Sequence, residues 1–405
     1  TRFGQCTPSG TPDPESCSAV DRLTPVVFSD AWGSRVSIAS LQGRDIPSPE
    51  PESELWMGAH EGGASGTDRP GNPDLAAVIA ADAVQELGAD CIDRFGPRLP
   101  FLLKVLAPGR AISTQAHPTA EQACAERART RDAVYVDDWA KPELLLALAP
   151  FEVFVGMRSF VEVVELARRL KVNRFTTIVE QASSAADPVH EALALVLATP
   201  AEEVDEFARS IVAACVRLEA SGDDLGHEAA AIVGVAEEHP DDIGLVVLLL
   251  MHYRVLEPGE YVDVAAGVLH SYVRGLGIEV LANSDNVVRA GLTSKEVNVA
   301  ELLRIVDPRA GGIAGRGRVV EPGLEVFDSM SDRFVLYRVT PGRVLPGGRG
   351  PRIAFCLRGT VTLRSGSRVL DLRDAESAFL PAGEGTVALE GSGEVYVASV
   401  PPPSS

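Results

Sequence analysis

The alternation of apolar and polar residues changes rhythm several times along the chain. From Val26 to about Pro150, short apolar runs such as Arg35–Ala39 and Phe101–Leu106 sit between Pro and Gly punctuation, which predicts β-strands joined by loops. One helix is expected among them, over Asn72–Leu87, where apolar residues recur at helical spacing. Beyond about Ser159 the texture turns helical: Val161–Leu170, Asp187–Leu197, Ala201–Ala220 and His227–Glu238 read as amphipathic helices rich in Ala, Leu and Glu. Strand rhythm resumes at Tyr261-Val262-Asp263-Val264 and runs with Gly-rich turns through His270 to Val280. From Glu325 to Val400, short strands follow one another with turns such as Leu357-Arg358-Gly359-Thr360, the pattern of a small β-sandwich or jelly roll.

These changes predict a mainly β protein with a helical insert. Residues 1–24, rich in Pro, Ser, Thr and Gly, form an irregular lead-in. A discontinuous β domain occupies 25–158 and 252–306, and the helical insert fills 159–251. A linker at 307–324 leads to a second β domain at 325–400. Within the linker, Gly311-Gly312-Ile313-Ala314-Gly315-Arg316-Gly317 lacks the strand-then-helix setting that a nucleotide loop requires.

A chain of 405 residues, 45% of them apolar, can bury a large core. Its net charge of −20 argues against a nucleic-acid partner, since phosphate backbones are held by Lys and Arg. The longest apolar stretch, Ile243–Met251, falls short of the roughly 20 residues that span a bilayer, and no basic, apolar leader opens the chain, so no membrane partner is expected. Six cysteines without CxxC spacing fit a reducing, cytoplasmic setting, with Cys6 and Cys17 expected as free thiols.

Candidate chemistry gathers in a few blocks. Ser113-Thr114-Gln115-Ala116-His117-Pro118, Lys141-Pro142-Glu143 and Gly267-Val268-Leu269-His270 supply Gln, His, Glu and His. Strand periodicity sends Gln115 and His117 from one face, and the four side chains form a plausible set of ligands for one divalent metal, zinc first, with iron or manganese open. A second block, Glu279 to Lys295, carries Glu279, Asp285, Arg289 and Lys295. Arg and Lys beside a metal suit a phosphate, although Asp285 and Asn286 also read as turn formers and Arg289 as a surface ion-pair partner. Lys104, inside the apolar Phe101–Leu106 run, needs a partner if that run is interior.

On these blocks, together with Ala31-Trp32-Gly33-Ser34 and Leu55-Trp56-Met57-Gly58-Ala59-His60, the chain closely resembles the type I phosphomannose isomerases of the cupin superfamily. Order and spacing agree from about Trp32 to Val306, and the run SDNVVRAGLTSK is highly specific. The resemblance implies two cupin-type jelly-roll domains plus an α-helical domain. It implies one Zn2+ per chain held by Gln115, His117, Glu143 and His270, with Arg289 in the active site. Lys141, Asp285 and Glu279 are then catalytic candidates, and Lys104, Ser113, Lys295 and His60 substrate-binding ones. The implied reaction interconverts mannose 6-phosphate and fructose 6-phosphate through a cis-enediolate, in a cytoplasmic monomer feeding glycolysis or mannose-donor (GDP-mannose) synthesis. Alternatives are a metal-dependent cupin oxygenase and a non-catalytic sugar-phosphate-binding cupin.

Three departures stand out. Trp139-Ala140 precede Lys141 where the family has Asn-His, which removes any proton relay through that His. Glu61-Gly62-Gly63 follow His60 where proline is usual, which is expected to loosen a substrate loop. The Cys-containing leader has no recognised counterpart.

Overall fold

The computed structural model describes residues 20–129, 134–346 and 350–402; Cys6 and Cys17 lie outside them. Among the described residues, three antiparallel sheets of ten, seven and five strands carry the fold, with helices on the outside. The seven-stranded sheet runs in the order Ile313–Arg316, Glu260–Val264, Glu143–Ala147, Gly277–Ala282, Phe101–Leu106, Glu54–Met57, Val26–Phe28. The five-stranded sheet runs Val288–Gly291, Thr114–Ala116, His270–Arg274, Phe151–Met157, Met251–Leu256.

These two sheets face each other. Leu106, Leu145, Val262 and Val264 from the larger one pack with Phe151, Val153, Leu256 and Tyr272 from the smaller one in one apolar cluster. The outer face of the seven-stranded sheet is covered too, by Phe327, Leu336, Phe355 and Phe379 of the ten-stranded sheet and by Leu75, Leu87 and Phe95 of short helices. Burial on both faces explains why Phe101–Leu106 is apolar almost throughout and buried at every position.

The helices between Phe160 and Leu248 cover the outer face of the five-stranded sheet, packing Leu166, Phe175, Leu193 and Phe207 into a cluster that includes Leu269, Val288 and Ala290. Local sequence sets where they start. Ser159 and Glu162 close a capping box on Phe160–Leu170, and Asp187 accepts from His190 N at the head of Pro188–Leu197. No helix among the described residues is long and apolar enough to cross a membrane.

Several local expectations change. The lead-in expected to be irregular through Thr24 forms a strand over Asp21–Thr24, because Glu376–Leu380 offers it a free edge. Arg35–Ala39, expected as a strand, contributes instead to the helix Ser37–Leu41. The helix expected over Asn72–Leu87 is divided into Leu75–Ala81 and Ala83–Leu87, since Asp82 leaves helical geometry and caps the second piece through Gln85 N. Two strands, Ile313–Arg316 and Arg318–Glu321, form in the expected linker: the first extends the seven-stranded sheet beside Glu260–Val264, and the second pairs with Leu324–Phe327.

Candidate metal centre

Strand register aims the polar residues inward. In the five-stranded sheet, Gln115 lies directly across from His270 on one side and from Arg289 on the other. In the seven-stranded sheet, Lys104 lies across from Trp56 and from Glu279. Directly opposed residues of antiparallel strands share a face. Each sheet therefore presents a polar row to the space between them, and Glu143, at the start of its strand, joins that space from the seven-stranded side.

His117, Glu143 and His270 converge so that one ligand atom from each lies within 4.8 Å of the others. Both imidazoles are fully buried, and Nε2 of His117 and of His270 sit 3.2 and 3.3 Å from the two Glu143 oxygens. Each Nδ1 already donates to a carbonyl: His117 to Asn286 O at 2.7 Å, His270 to Val268 O at 3.0 Å. In the neutral tautomer that these bonds select, both Nε2 lone pairs point at a carboxylate with no proton between them. His117 Nε2 has no hydrogen-bond partner among the described residues. Burial lowers the His117 imidazole to about 4, and the Lys141 ammonium adds to this. Burial opposes ionisation of Glu143, but the Lys141 ammonium outweighs it and holds this carboxyl well below the usual range. Neutral imidazoles facing an ionised carboxylate are repelled in isolation and drawn together by a cation, so the donor set fits a divalent metal.

The Gln115 amide supplies a fourth group. Its nitrogen lies 3.4 Å from His270 Nε2, and its oxygen accepts from Ser113 Oγ at 3.2 Å. Rotating the amide by half a turn exchanges the two atoms and offers the carbonyl oxygen to the same point.

Beside this cluster lies a cavity of about 660 Å³, lined by Lys104, Ser113, Lys141, Glu279, Arg289 and Lys295 among others. Lys141 Nζ pairs with Glu143 Oε1 at 2.9 Å. Lys104 is nearly buried and held between Glu279 at 2.8 Å and Glu54 at 3.0 Å, which is the partnership an interior lysine needs. Burial works against its charge, but the two carboxylates keep it protonated. Burial pushes the Glu279 carboxyl up to about 7, although Lys104 opposes the shift. Arg289 is partly buried, which lowers its pKa modestly, and it stays charged. Lys295 stands exposed at the rim.

Two further candidates meet each other. His60 Nε2 and Asp285 Oδ1 pair at 3.3 Å on the wall of a neighbouring cavity of about 490 Å³. His60 Nδ1 accepts from Gly62 N, so Nε2 carries the proton that faces Asp285. The His60 hydrogen bond holds the Asp285 carboxyl below its usual range, and the Lys141 and Lys104 ammoniums of the metal-side cavity add to this. Within Glu61-Gly62-Gly63 the first two residues are exposed and the third is confined: a Cβ on Gly63 would lie 2.8 Å from the Phe28 ring.

Two residues that matter here are not among the site candidates the sequence offers. Glu54 was legible through alternation, since it shares a face with Trp56 and hence with Lys104. Asn286 gave no such signal beyond its turn propensity; in the structure it is buried, and its amide bonds Val136 N, Asp137 O and Trp139 O.

Facing sheets with a buried His, His, Glu cluster beside an anion-receptive cavity define a mononuclear metalloenzyme on a β scaffold. Residues 20–160 match the family description "Phosphomannose isomerase type I, catalytic domain". Mannose-6-phosphate isomerase of Escherichia coli (strain K12) is 32% identical over 401 residues, covering 93% of this chain and 98% of that one. A structure of a histidine-to-alanine variant of phosphomannose isomerase from Salmonella typhimurium superposes with TM-score 0.84 at 29% identity, over 95% of this chain and 100% of the other. A mannose 6-phosphate isomerase bound with zinc and yttrium superposes with TM-score 0.83 at 30% identity, again over 95% and 100%. The chain belongs to the type I phosphomannose isomerase family.

Proposed function

We propose that this protein is a zinc-dependent aldose-ketose isomerase that interconverts mannose 6-phosphate and fructose 6-phosphate. The observation that carries this reading is the convergence of His117, Glu143 and His270 beside a cavity that also receives Arg289, Lys104 and Glu279. The relatives act in the same sense by name, and one of their structures holds zinc. The facing sheets, and the ten-stranded sheet behind them, are consistent with two cupin-type jelly rolls; a monomer belongs to the same reading.

Gln115, His117, Glu143 and His270 would hold one Zn2+. When bound, zinc supplies a Lewis acid that draws electron density from the sugar oxygens at C1 and C2. The remaining work falls to side chains. Isomerisation takes a proton from C2 of the aldose and returns it to C1 of the ketose, with a matching proton shift between the two oxygens. Glu279 suits the carbon transfer: buried, lining the cavity and titrating near 7, it can accept a proton and return it. Lys104 keeps that carboxylate oriented, and Glu54 keeps Lys104 in place. Lys141 fixes Glu143 through its ion pair. Arg289, permanently charged, donates to the developing oxyanion or to the phosphate. Lys295 and Ser113 would meet the phosphate end of the substrate.

The test joins metal analysis of the purified protein with a coupled assay on mannose 6-phosphate under anaerobic conditions. The reading expects about one zinc per chain and turnover without oxygen. Oxygen uptake in place of isomerisation, or tight sugar-phosphate binding with no turnover, would overturn it.

A further inference from the structure

Trp139 stands where the family's sequence has asparagine, two residues before Lys141. Between Val134 and Pro142 the backbone belongs to no helix or strand, so side chains must fix its path. Asn286 holds its carbonyls and amides from within. The Trp139 indole is held from outside by two guanidiniums: the central carbon of Arg98 lies 3.2 Å from the ring centroid and that of Arg333 lies 3.9 Å from it. Two such carbons cannot share one face at those distances without colliding, so they bracket the ring. Arg98 comes from the catalytic region and also reaches Asp137 at 3.5 Å. Arg333 comes from the C-terminal β region, just ahead of Val335–Val339.

Arg333 is spent on this contact. Its Nη1 is buried with no hydrogen-bond partner among the described residues, and the Phe95 ring, which itself meets Trp139 edge-on at 6.5 Å, lies 5.2 Å away. The approach is pinned next door, where Arg94 donates to Asp332 O at 2.8 Å and to Pro401 O at 2.9 Å. A desolvated guanidinium on an indole is a strong form of cation–π contact.

We propose, resting on the isomerase reading above, that Arg333 is a positioning residue for the reaction: through Trp139 the C-terminal β region holds the irregular segment that delivers Lys141 to Glu143. Arg333 meets Trp139 directly, the backbone leads from Trp139 to Lys141 two residues on, and Lys141 pairs with Glu143 at 2.9 Å. Slack at Trp139 becomes slack at a metal-binding carboxylate, where small misplacements cost rate.

The experiment compares Arg333→Ala and Arg333→Lys in the full chain. It reads kcat and KM separately, thermal unfolding, and the rate at which a chelator strips zinc from the loaded protein. Arg333→Ala should lower kcat/KM roughly tenfold, chiefly through kcat, and speed zinc release severalfold. Arg333→Lys keeps a cation over the indole and should recover kcat/KM to within about threefold of the parent. Asp263→Asn, at a separate contact with the C-terminal region, should leave kcat/KM unchanged. The proposal is overturned if Arg333→Ala retains kcat/KM within about twofold and parental zinc release whatever its melting temperature, or if Lys proves no better than Ala. Should Arg333→Ala not fold, Arg333→Met, which keeps the stem without the charge, takes its place against Arg333→Lys. If the parent protein fails to isomerise mannose 6-phosphate, the function reading fails, while the zinc-release comparison still decides the Arg333 contact.

Discussion

The backbone oxygen of Asn286 accepts a hydrogen bond from Nδ1 of His117 at 2.7 Å, while the Asn286 amide binds the segment leading to Lys141. One residue thus orients a metal-facing imidazole and ties down the neighbouring loop. Asn286→Ala keeps the backbone bond and leaves Val136 N, Asp137 O and Trp139 O without the amide that binds them. We expect it to weaken zinc binding by roughly tenfold and to destabilise the fold by about 1–3 kcal/mol. Chelator competition and denaturant unfolding measure both; parental zinc affinity would remove Asn286 from the support of the site.

Glu143→Ala leaves two imidazoles facing a gap and frees Lys141. The expected result is a protein that loses most of its zinc on dialysis and nearly all turnover. Full zinc occupancy with normal turnover contradicts the ligand role.

Glu279→Gln preserves shape but cannot take a proton. With zinc still near one per chain, kcat should fall by roughly 10²–10⁴, and exchange of the substrate C2 proton with solvent should fall with it. Exchange at the parental rate would mean the base lies elsewhere.

Asp263 gives a pH effect away from the metal. Burial raises its pKa, although Ser329 Oγ at 2.6 Å and Met330 N at 3.0 Å donate to it and oppose the shift. A carboxyl raised in the folded state contributes stability that is fully present below its unfolded value, near 3.8, and lost as pH rises through the folded value. Asp263→Asn removes that titration. Its melting temperature should gain on the parent as pH rises from 3.5 toward 7, and a constant difference across that range would refute the assignment.

Much of the site was legible because its parts lie on strands. Period two carried Gln115 and His117 inward, and the interior setting of Lys104 demanded the carboxylates it meets in Glu54 and Glu279. The pairing of Asp285 with His60 was not legible, because the two are distant in sequence and no pattern links them. The strand Asp21–Thr24 was illegible for another reason: its partner, Glu376–Leu380, is distant in sequence, and four residues carry too little pattern to announce a pairing. Helices fared better where caps marked them, as at Ser159 and Asp187, and worse where Asp82 ended one helix by capping the next.

That distant pairing bears on how the molecule comes into being. Leu23 sits opposite Ser377, and the sheet they share roofs the outer face of the strands that bear Glu143, Lys104 and Glu279. A nascent polypeptide must therefore wait until Glu376–Leu380 has been synthesised before this roof can close. Until then, the zinc-binding half carries a greasy, uncovered flank, and shortened versions of the protein should be prone to clumping.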